Sequence, residues 1–241
     1  MEAALSSFTK SFDKFSEGTI RAKAFHDFLS ITIFRFTINP ATGYSLYSDE
    51  KEYRQIATPY KKNGNMEHVC DLILQLIDHA NNCKERGDLL SDFYEQVVCH
   101  GKRGYMFADF QTEIMMADII LPEDSRYENA FDPACRTGRF LSAIGQKSEN
   151  IRLFYGMECN PFFVMACAIN IFLSGHSGEI LCGNIYVPDD FNRGYRISQN
   201  PHGIFRIGNK NDSVLWKMVE STFRENVIAN CRKPRISYFL F

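Results

Sequence analysis

Two acids and an asparagine follow three short apolar stretches in the second half of this 241-residue chain. Asp132 closes the first stretch, Glu158 closes the second, and Gly183-Asn184 follows the third. A loop that contains Gly138 comes directly after Asp132. This order is typical of a nucleoside-binding unit, in which the loop backbone meets the polar or charged tail and the acid binds ribose hydroxyls.

The elements that must position these residues alternate between strand and helix. Pro161 favours a helix start, because its missing N–H costs little at that position. The patterns predict strands at 130–132, 153–157 and 178–182, with helices at 139–147 and 162–173 between them. A β-α-β-α-β order of this kind predicts a right-handed, parallel, doubly wound sheet.

The first half of the chain is predicted to be helical. Apolar residues recur at helical spacing over 3–15, 19–36, 66–80, 88–99 and 110–121, and Asp49 is expected to cap a further helix that Pro59 ends or kinks. Beyond Pro188, two β-period runs around Asn200-Pro201-His202-Gly203 predict a hairpin, followed by a helix from Val214 and a terminal strand or ordered tail over 236–241. We therefore predict a helical region over 1–104 and an α/β domain over 105–241. The alternative is that the two regions form one continuous folding unit.

Composition excludes several classes of protein. The net charge of −2 argues against a uniformly basic nucleic-acid binder. The eight cysteines are scattered without metal-ligand spacing, so we expect buried, reduced thiols and no metal site; Cys70, Cys159, Cys167 and Cys182 are examples. The chain shows no signal peptide and no apolar run long enough to cross a bilayer, so a cytoplasmic location is expected.

The loop after the first strand resembles a known family. Residues 132–140 read D-P-A-C-R-T-G-R-F and resemble the S-adenosylmethionine loop D-P-A-C-G-T-G-x-F of adenine-N6 DNA methyltransferases, especially the modification subunits of type I restriction systems. Glu158-Cys159-Asn160-Pro161 is similar to the family's E/D-x-[DN]-P, in which the acid binds ribose. Gly183-Asn184 is similar to its G-D, which faces the adenine amino group.

Two further segments support the resemblance, which covers roughly residues 66–190. Asp88 to Glu95 is similar to a helix of the family, and Gly104 to Asp109 takes the place of its G-x-F-F-T-P segment, which packs on the cofactor. The resemblance implies a truncated Rossmann-like methyltransferase fold with an N-terminal helical region and S-adenosylmethionine as cofactor. The cofactor-binding residues that it implies are Phe107, Asp132, Ala134, Thr137, Gly138, Glu158 and Asn184.

The sequence also departs from the family. Arg136 replaces a glycine, and we expect its side chain to fill part of the cofactor space or to change the shape of the loop. Ala108-Asp109 replaces Thr-Pro. The catalytic [D/N/S]-P-P-[Y/F/W] motif is absent, and its nearest counterparts are Asn160-Pro161-Phe162-Phe163 and Asn200-Pro201-His202-Gly203. The chain is therefore expected to be a partial or catalytically impaired member of the family, with no catalytic residue assigned.

Partners follow from the resemblance alone. It implies DNA and a specificity or restriction subunit as partners; the composition adds the expectation that neither a membrane nor a metal is involved. Lys102, Arg103, Arg232, Lys233 and Arg235 could meet phosphates, although an ordinary solvated surface is favoured. The alternative is a non-enzymatic DNA- or protein-binding module on the same scaffold. A dinucleotide-binding enzyme is disfavoured because the chain lacks G-x-G-x-x-G.

Overall fold

Apolar residues at helical spacing fold the first half of the chain into α-helices. The computed structural model describes residues 2–37, 50–82, 88–99, 108–121, 127–187, 190–199, 202–229 and 239–240. Within these ranges the first-half helices are α1 (Glu2–Phe15), α2 (Arg21–Phe36), α3 (Glu50–Lys62), α4 (His68–Asn82), α5 (Leu89–Phe93) and α6 (Phe110–Ile120).

The predicted helices are confirmed, with differences at their ends. The β-branched tail of α2 stays helical to Phe36, because Ile31, Thr32 and Ile33 are all buried. Pro59 lies inside α3, which continues to Lys62 although the proline has no N–H to donate to the preceding turn. Helix α5 is followed by a π-helical turn, Tyr94–Val98. Asp49 lies outside the described residues.

In the second half, the described strands form one six-stranded mixed sheet. Its strands are β1 (Asn129–Asp132), β2 (Leu153–Glu158), β3 (Ser177–Gly183), β4 (Phe191–Gln199), β5 (His202–Ile207) and β6 (Phe239–Leu240), in the order β5-β4-β3-β2-β1-β6. Strands β1, β2 and β3 pair in parallel, as predicted. The predicted hairpin β4–β5 adds antiparallel to β3, and β6 adds antiparallel to β1, so the whole sheet is not parallel.

Helices cover both faces of this sheet. Helices α7 (Arg139–Lys147) and α8 (Pro161–Leu173) follow β1 and β2, and they share one apolar core with α1 and α2. Phe8, Phe12 and Phe154 are fully buried in that core. Helix α9 (Val214–Ala229) packs on the other face, where Leu215 and Trp216 contact a smaller cluster. One core thus joins the helical first half to the sheet.

The cysteines are free thiols wherever the structure describes them. Cys135, Cys167 and Cys182 are buried, as expected. Cys70 and Cys159 are exposed, which corrects the prediction that they are buried. Cys70 lies on the outer side of α4, because Val69 and Leu72 turn the inner side toward the core.

Candidate functional site

The loop after β1 is held by its own backbone and by Asp132. The Asp132 carboxylate is 5% exposed, and its Oδ1 accepts a hydrogen bond of 2.9 Å from the Ala134 amide. The Cys135 amide donates to the Met157 carbonyl at 3.0 Å, and the Gly138 amide donates to the Cys135 carbonyl at 2.7 Å. These bonds fix a tight turn between β1 and α7. Ala134 is exposed on its surface.

Arg136 takes the backbone conformation that glycine adopts most easily. Its φ is 47°, and no other non-glycine residue in the described ranges has a positive φ. Its side chain is exposed, and its amide donates to Glu158 Oε2 at 3.2 Å. Whether Arg136 fills part of the cofactor space or changes the shape of the loop stays a prediction; the structure shows that the backbone is left-handed at this position.

Thr137 and Gly138 face the protein interior. Thr137 is 1% exposed, its hydroxyl accepts a hydrogen bond from the Ser91 hydroxyl, and its carbonyl accepts one from Asn170 at 2.9 Å. Gly138 has a φ of 85°, and a Cβ at this position would lie 2.8 Å from Cys167 Sγ. The Thr137 side chain therefore packs against α5, and Gly138 permits the close approach of α7 to α8.

Glu158 links the loop to the start of α8. Its Oε2 accepts from the Arg136 amide, and its Oε1 accepts from the Asn160 amide at 2.8 Å. Asn160 in turn caps α8, because its Oδ1 accepts from the Phe162 amide at 3.0 Å. The structure thus brings Glu158 and the Asp132 loop together at the carboxyl ends of adjacent parallel strands, the edge at which ligands bind in sheets of this kind.

Asn184 lies at the carboxyl end of β3, where it forms a turn. Its amide donates to Asp190 Oδ2, and its side-chain oxygen accepts from the Tyr186 amide, both at 2.9 Å. The Cys182 thiol donates to the Cys159 carbonyl at 3.6 Å, which ties this turn to the end of β2. Asn184 shares the strand-end edge with Asp132 and Glu158, but its side-chain oxygen already serves the turn.

Asp132, Glu158 and Asn184 together form what we call the strand-end site, and this site is acidic. Burial raises the pKa of Asp132 to about 6; Glu158 adds to the shift, while the Ala134 amide and Arg136 oppose it. Burial also raises the pKa of Glu113 on α6, and Asp132 contributes to that shift. Glu113 was missed by sequence reasoning, because a glutamate on an amphipathic helix is indistinguishable from a solvated one.

A buried ionic network supports the loop from behind. The Arg139 side chain is 7% exposed, and it donates to Asp88 Oδ2 at 3.0 Å, to Asp92, and to the Ala108 carbonyl at 3.1 Å. Burial alone would lower the pKa of Arg139, but the two carboxylates outweigh it and raise that pKa. Arg139 therefore stays cationic and joins α5, the start of α6 and the start of α7.

The remaining candidates lie near this network or outside the described residues. Asp109 caps α6 by accepting from the Thr112 amide at 2.8 Å, and this bond lowers the pKa of its carboxyl. Phe107, proposed to pack on the cofactor, and Asn200, the alternative catalytic candidate, lie outside the described residues. So do the basic residues Lys102, Arg103, Arg232, Lys233 and Arg235.

The strand-end site is defined by its side chains and backbone amides. A cavity of about 400 Å³ lies between α4, α5, α7 and α8, and Asp88, Arg139 and Asn170 line it. The described lining of this cavity includes none of the strand-end candidates Asp132, Glu158 and Asn184.

The described part of the chain contains no cluster of His, Cys, Asp or Glu suited to a metal ion. No described helix has the length and hydrophobicity to cross a membrane.

Comparisons with known proteins give no relative for this fold and site. No family model matches the chain, and no curated protein or solved structure matches it significantly.

Proposed function

We propose that the strand-end site binds S-adenosylmethionine and that the chain is an adenine-N6 DNA methyltransferase-like protein, partial or impaired in catalysis. The observation that carries this proposal is the bond from the Arg136 amide to Glu158. It places the acid of one parallel strand against the loop of its neighbour, which is the arrangement that a nucleoside requires.

The chemistry of these groups fits an adenosine moiety. A carboxylate has about four lone-pair sites, so Glu158 can accept ribose hydroxyls in addition to its two backbone amides. The Asp132, Glu158 and Glu113 carboxyls make the edge acidic, which favours a ligand with positive charge. When bound, S-adenosylmethionine supplies an electrophilic methyl group on a sulfonium.

Arg136 is expected to affect the affinity for S-adenosylmethionine more than the shape of the loop. Its left-handed backbone keeps the turn that a glycine would allow. Its exposed side chain is long enough to lie over the same edge, where its charge opposes that of a sulfonium. We therefore propose binding that is weakened by Arg136 and improved by glycine at this position.

Catalytic residues remain unassigned in this proposal. Asn160 is used as the cap of α8, so its side-chain oxygen is committed to the Phe162 amide and not aimed at a methyl acceptor. The protein would contribute positioning of the donor through Glu158 and the loop. Methyl transfer to a DNA adenine by this chain alone is therefore not expected. DNA and a partner subunit are proposed as binding partners only because of the resemblance to the family.

One observation favours a second candidate, a non-enzymatic DNA- or protein-binding module on the same scaffold. Both Glu158 oxygens already bind backbone amides, and the Asn184 side-chain oxygen binds the Tyr186 amide. These bonds serve the structure of the strand ends even without a ligand.

Calorimetric titration separates the two candidates. S-adenosylmethionine and S-adenosylhomocysteine are titrated into the wild type and into Arg136→Gly. Binding by the wild type supports a working donor site. Binding by the glycine variant alone indicates a closed site and favours the non-enzymatic module. Methyl transfer to adenine-containing DNA by the wild type would overturn the inference of impaired catalysis.

A further inference from the structure

A small charged cavity lies between the hairpin and the helical layer, apart from the strand-end residues Asp132, Glu158 and Asn184. Its volume is about 40 Å³, and its polar lining comes from Ser30, Glu52, Arg193, Tyr195 and Arg206. Apolar side chains of α2 and α3 form the rest of its wall. A water needs roughly 10–15 Å³ by this measure, so the space suits about three waters or one tetrahedral oxyanion.

Arg193 is directed into the protein by the alternation of β4. Tyr195 and Ile197, two and four residues further on, belong to the core that β4 shares with α8. Arg193 Nε is fully buried, and no acceptor within the described part of the chain hydrogen-bonds it. The Arg193 side chain also hydrogen-bonds the Tyr195 hydroxyl. A buried Nε–H without an acceptor is still costly, so an anion or ordered water is expected at this atom.

Arg206 adds a second guanidinium at the same place. It pairs with Tyr195 across the β4–β5 ladder, so the two side chains share a face of the sheet. Burial raises the pKa of Tyr195, while Arg193 and Arg206 both act to lower it, which agrees with two guanidiniums close to the phenol.

The described lining of the cavity carries more positive side chains than negative ones. Glu52 Oε2 lies 2.8 Å from Arg206 Nη1 and is the only acidic side chain in the described lining. In the described lining, two guanidiniums thus lie beside one carboxylate. Apolar side chains near the buried Arg193 Nε keep the local dielectric constant low and strengthen its attraction for an anion, whereas the exposed Arg206 guanidinium is screened by water.

We propose that this cavity binds a phosphate group, held by charge-assisted hydrogen bonds from Arg193 and Arg206 and by the Tyr195 hydroxyl. A tetrahedral oxyanion supplies acceptors in several directions, which matches donors that arrive from two strands. The phosphate can come from free inorganic phosphate or from a nucleic-acid strand, and the two sources are separable by experiment.

The test is titration of inorganic phosphate into the full chain at constant ionic strength, with binding followed by calorimetry. The wild type is expected to bind saturably. Arg193→Gln should bind at least about tenfold more weakly, the ratio for loss of one charge-assisted hydrogen bond. Glu52→Gln should bind several-fold more tightly, because it removes the opposing charge. Arg152→Gln, at an exposed arginine before β2, should match the wild type.

A second titration uses a short single-stranded oligodeoxynucleotide. If the oligodeoxynucleotide competes with inorganic phosphate for the wild type and this competition is lost in Arg193→Gln, the bound phosphate group belongs to a nucleic-acid strand. If inorganic phosphate binds and the oligodeoxynucleotide does not compete with it, the ligand is the free ion. Arg193→Lys, which keeps the charge, covers the case in which Arg193→Gln does not fold, and it should retain binding. The proposal is overturned if neither ligand binds the wild type, if Arg193→Gln binds as the wild type does, or if Glu52→Gln does not tighten binding.

Discussion

Arg136 carries backbone strain at the centre of the strand-end site. A left-handed conformation costs a non-glycine residue roughly 1–2 kcal/mol, since Cβ approaches the carbonyl oxygen. The bond from its amide to Glu158 helps to hold this conformation. A strained residue at a candidate ligand site is a reason to look for function there, and it has a measurable consequence for stability.

Arg136→Gly is expected to leave the free energy of unfolding unchanged or to raise it by up to about 1 kcal/mol, because relief of strain offsets the greater entropy of an unfolded glycine. Arg152→Gly is the matched control, since Arg152 is also exposed but has no positive φ. That control should lose about 0.5–1 kcal/mol in urea denaturation. Equal losses for both variants would show that Arg136 is not strained.

Asp132 should make stability depend on pH. The pKa of its buried carboxyl is about 6 in the folded protein, against an ordinary value of 3.8. Its contribution to stability is therefore complete below pH 3.8 and is lost as the pH rises through about 6. Asp132→Asn retains an oxygen for the Ala134 amide but carries no charge.

The advantage of the Asn variant over the wild type in free energy of unfolding should be about 2 kcal/mol larger at pH 7.5 than at pH 4.5, because most of the loss in the wild type falls between these pH values. Urea denaturation at both pH values measures the difference. Glu149→Gln, which removes an exposed carboxyl, is the control and should show no such trend. A difference for Asp132→Asn that stays constant with pH would contradict the raised pKa.

Sequence could locate Asp132, Glu158 and Asn184 but not their contacts. Strand ends follow from short apolar runs, so the shared edge was predictable. The inward turn of Thr137 was not, because it depends on Ser91 in a helix 46 residues earlier. Arg139 was likewise read as part of a motif, whereas its burial depends on Asp88 and Asp92.

At the scale of elements, the Arg139 network fixes α5, α6 and α7 relative to one another. Arg139 reaches Asp88 and Asp92 on one side and the Ala108 carbonyl on the other. Burial raises the pKa of Asp92 even though Arg139 counteracts it, so the network is sensitive to loss of its cation. Arg136 lies three residues before Arg139, in the loop that leads into α7, so this loop depends on the anchor.

Arg139→Met is expected to lower the free energy of unfolding by about 3 kcal/mol or more at neutral pH, because it leaves two largely buried carboxylates without their cation. Lys147→Met on the same helix breaks an exposed pair with Asp118 and should cost less than about 1 kcal/mol. Chemical denaturation of the two variants measures the contrast. Similar small losses would mean that Arg139 does not anchor the loop.

Helices were predictable from sequence to a larger extent than the sheet. The spacing of Phe8, Phe12 and Phe15 sets the inner face of α1 directly. Strand order is different, because it depends on contacts between distant residues. The hairpin β4–β5 was expected, but its place beside β3 follows from pairs such as Ile180 with Tyr195, which no local pattern encodes.

At the scale of the molecule, the helical first half and the parallel strands form one core. Phe93 of α5 packs with Phe12 at 4.7 Å between ring centroids, and both belong to the cluster that includes Phe154 of β2. The strand-end site is therefore supported by described residues from both halves of the chain. Because the core is continuous, a substitution in the helical layer should alter the position of the loop through α5 and Arg139.

The central claim is that Glu158 holds a nucleoside at the ends of β1 and β2. Its most direct test is titration of S-adenosylhomocysteine into the wild type, Glu158→Gln and Glu149→Gln, with circular dichroism to confirm folding. We predict saturable binding by the wild type, binding at least about tenfold weaker in Glu158→Gln, and no change in Glu149→Gln. Binding by the wild type that is insensitive to Glu158→Gln, or no binding by either the wild type or Arg136→Gly, would contradict the claim.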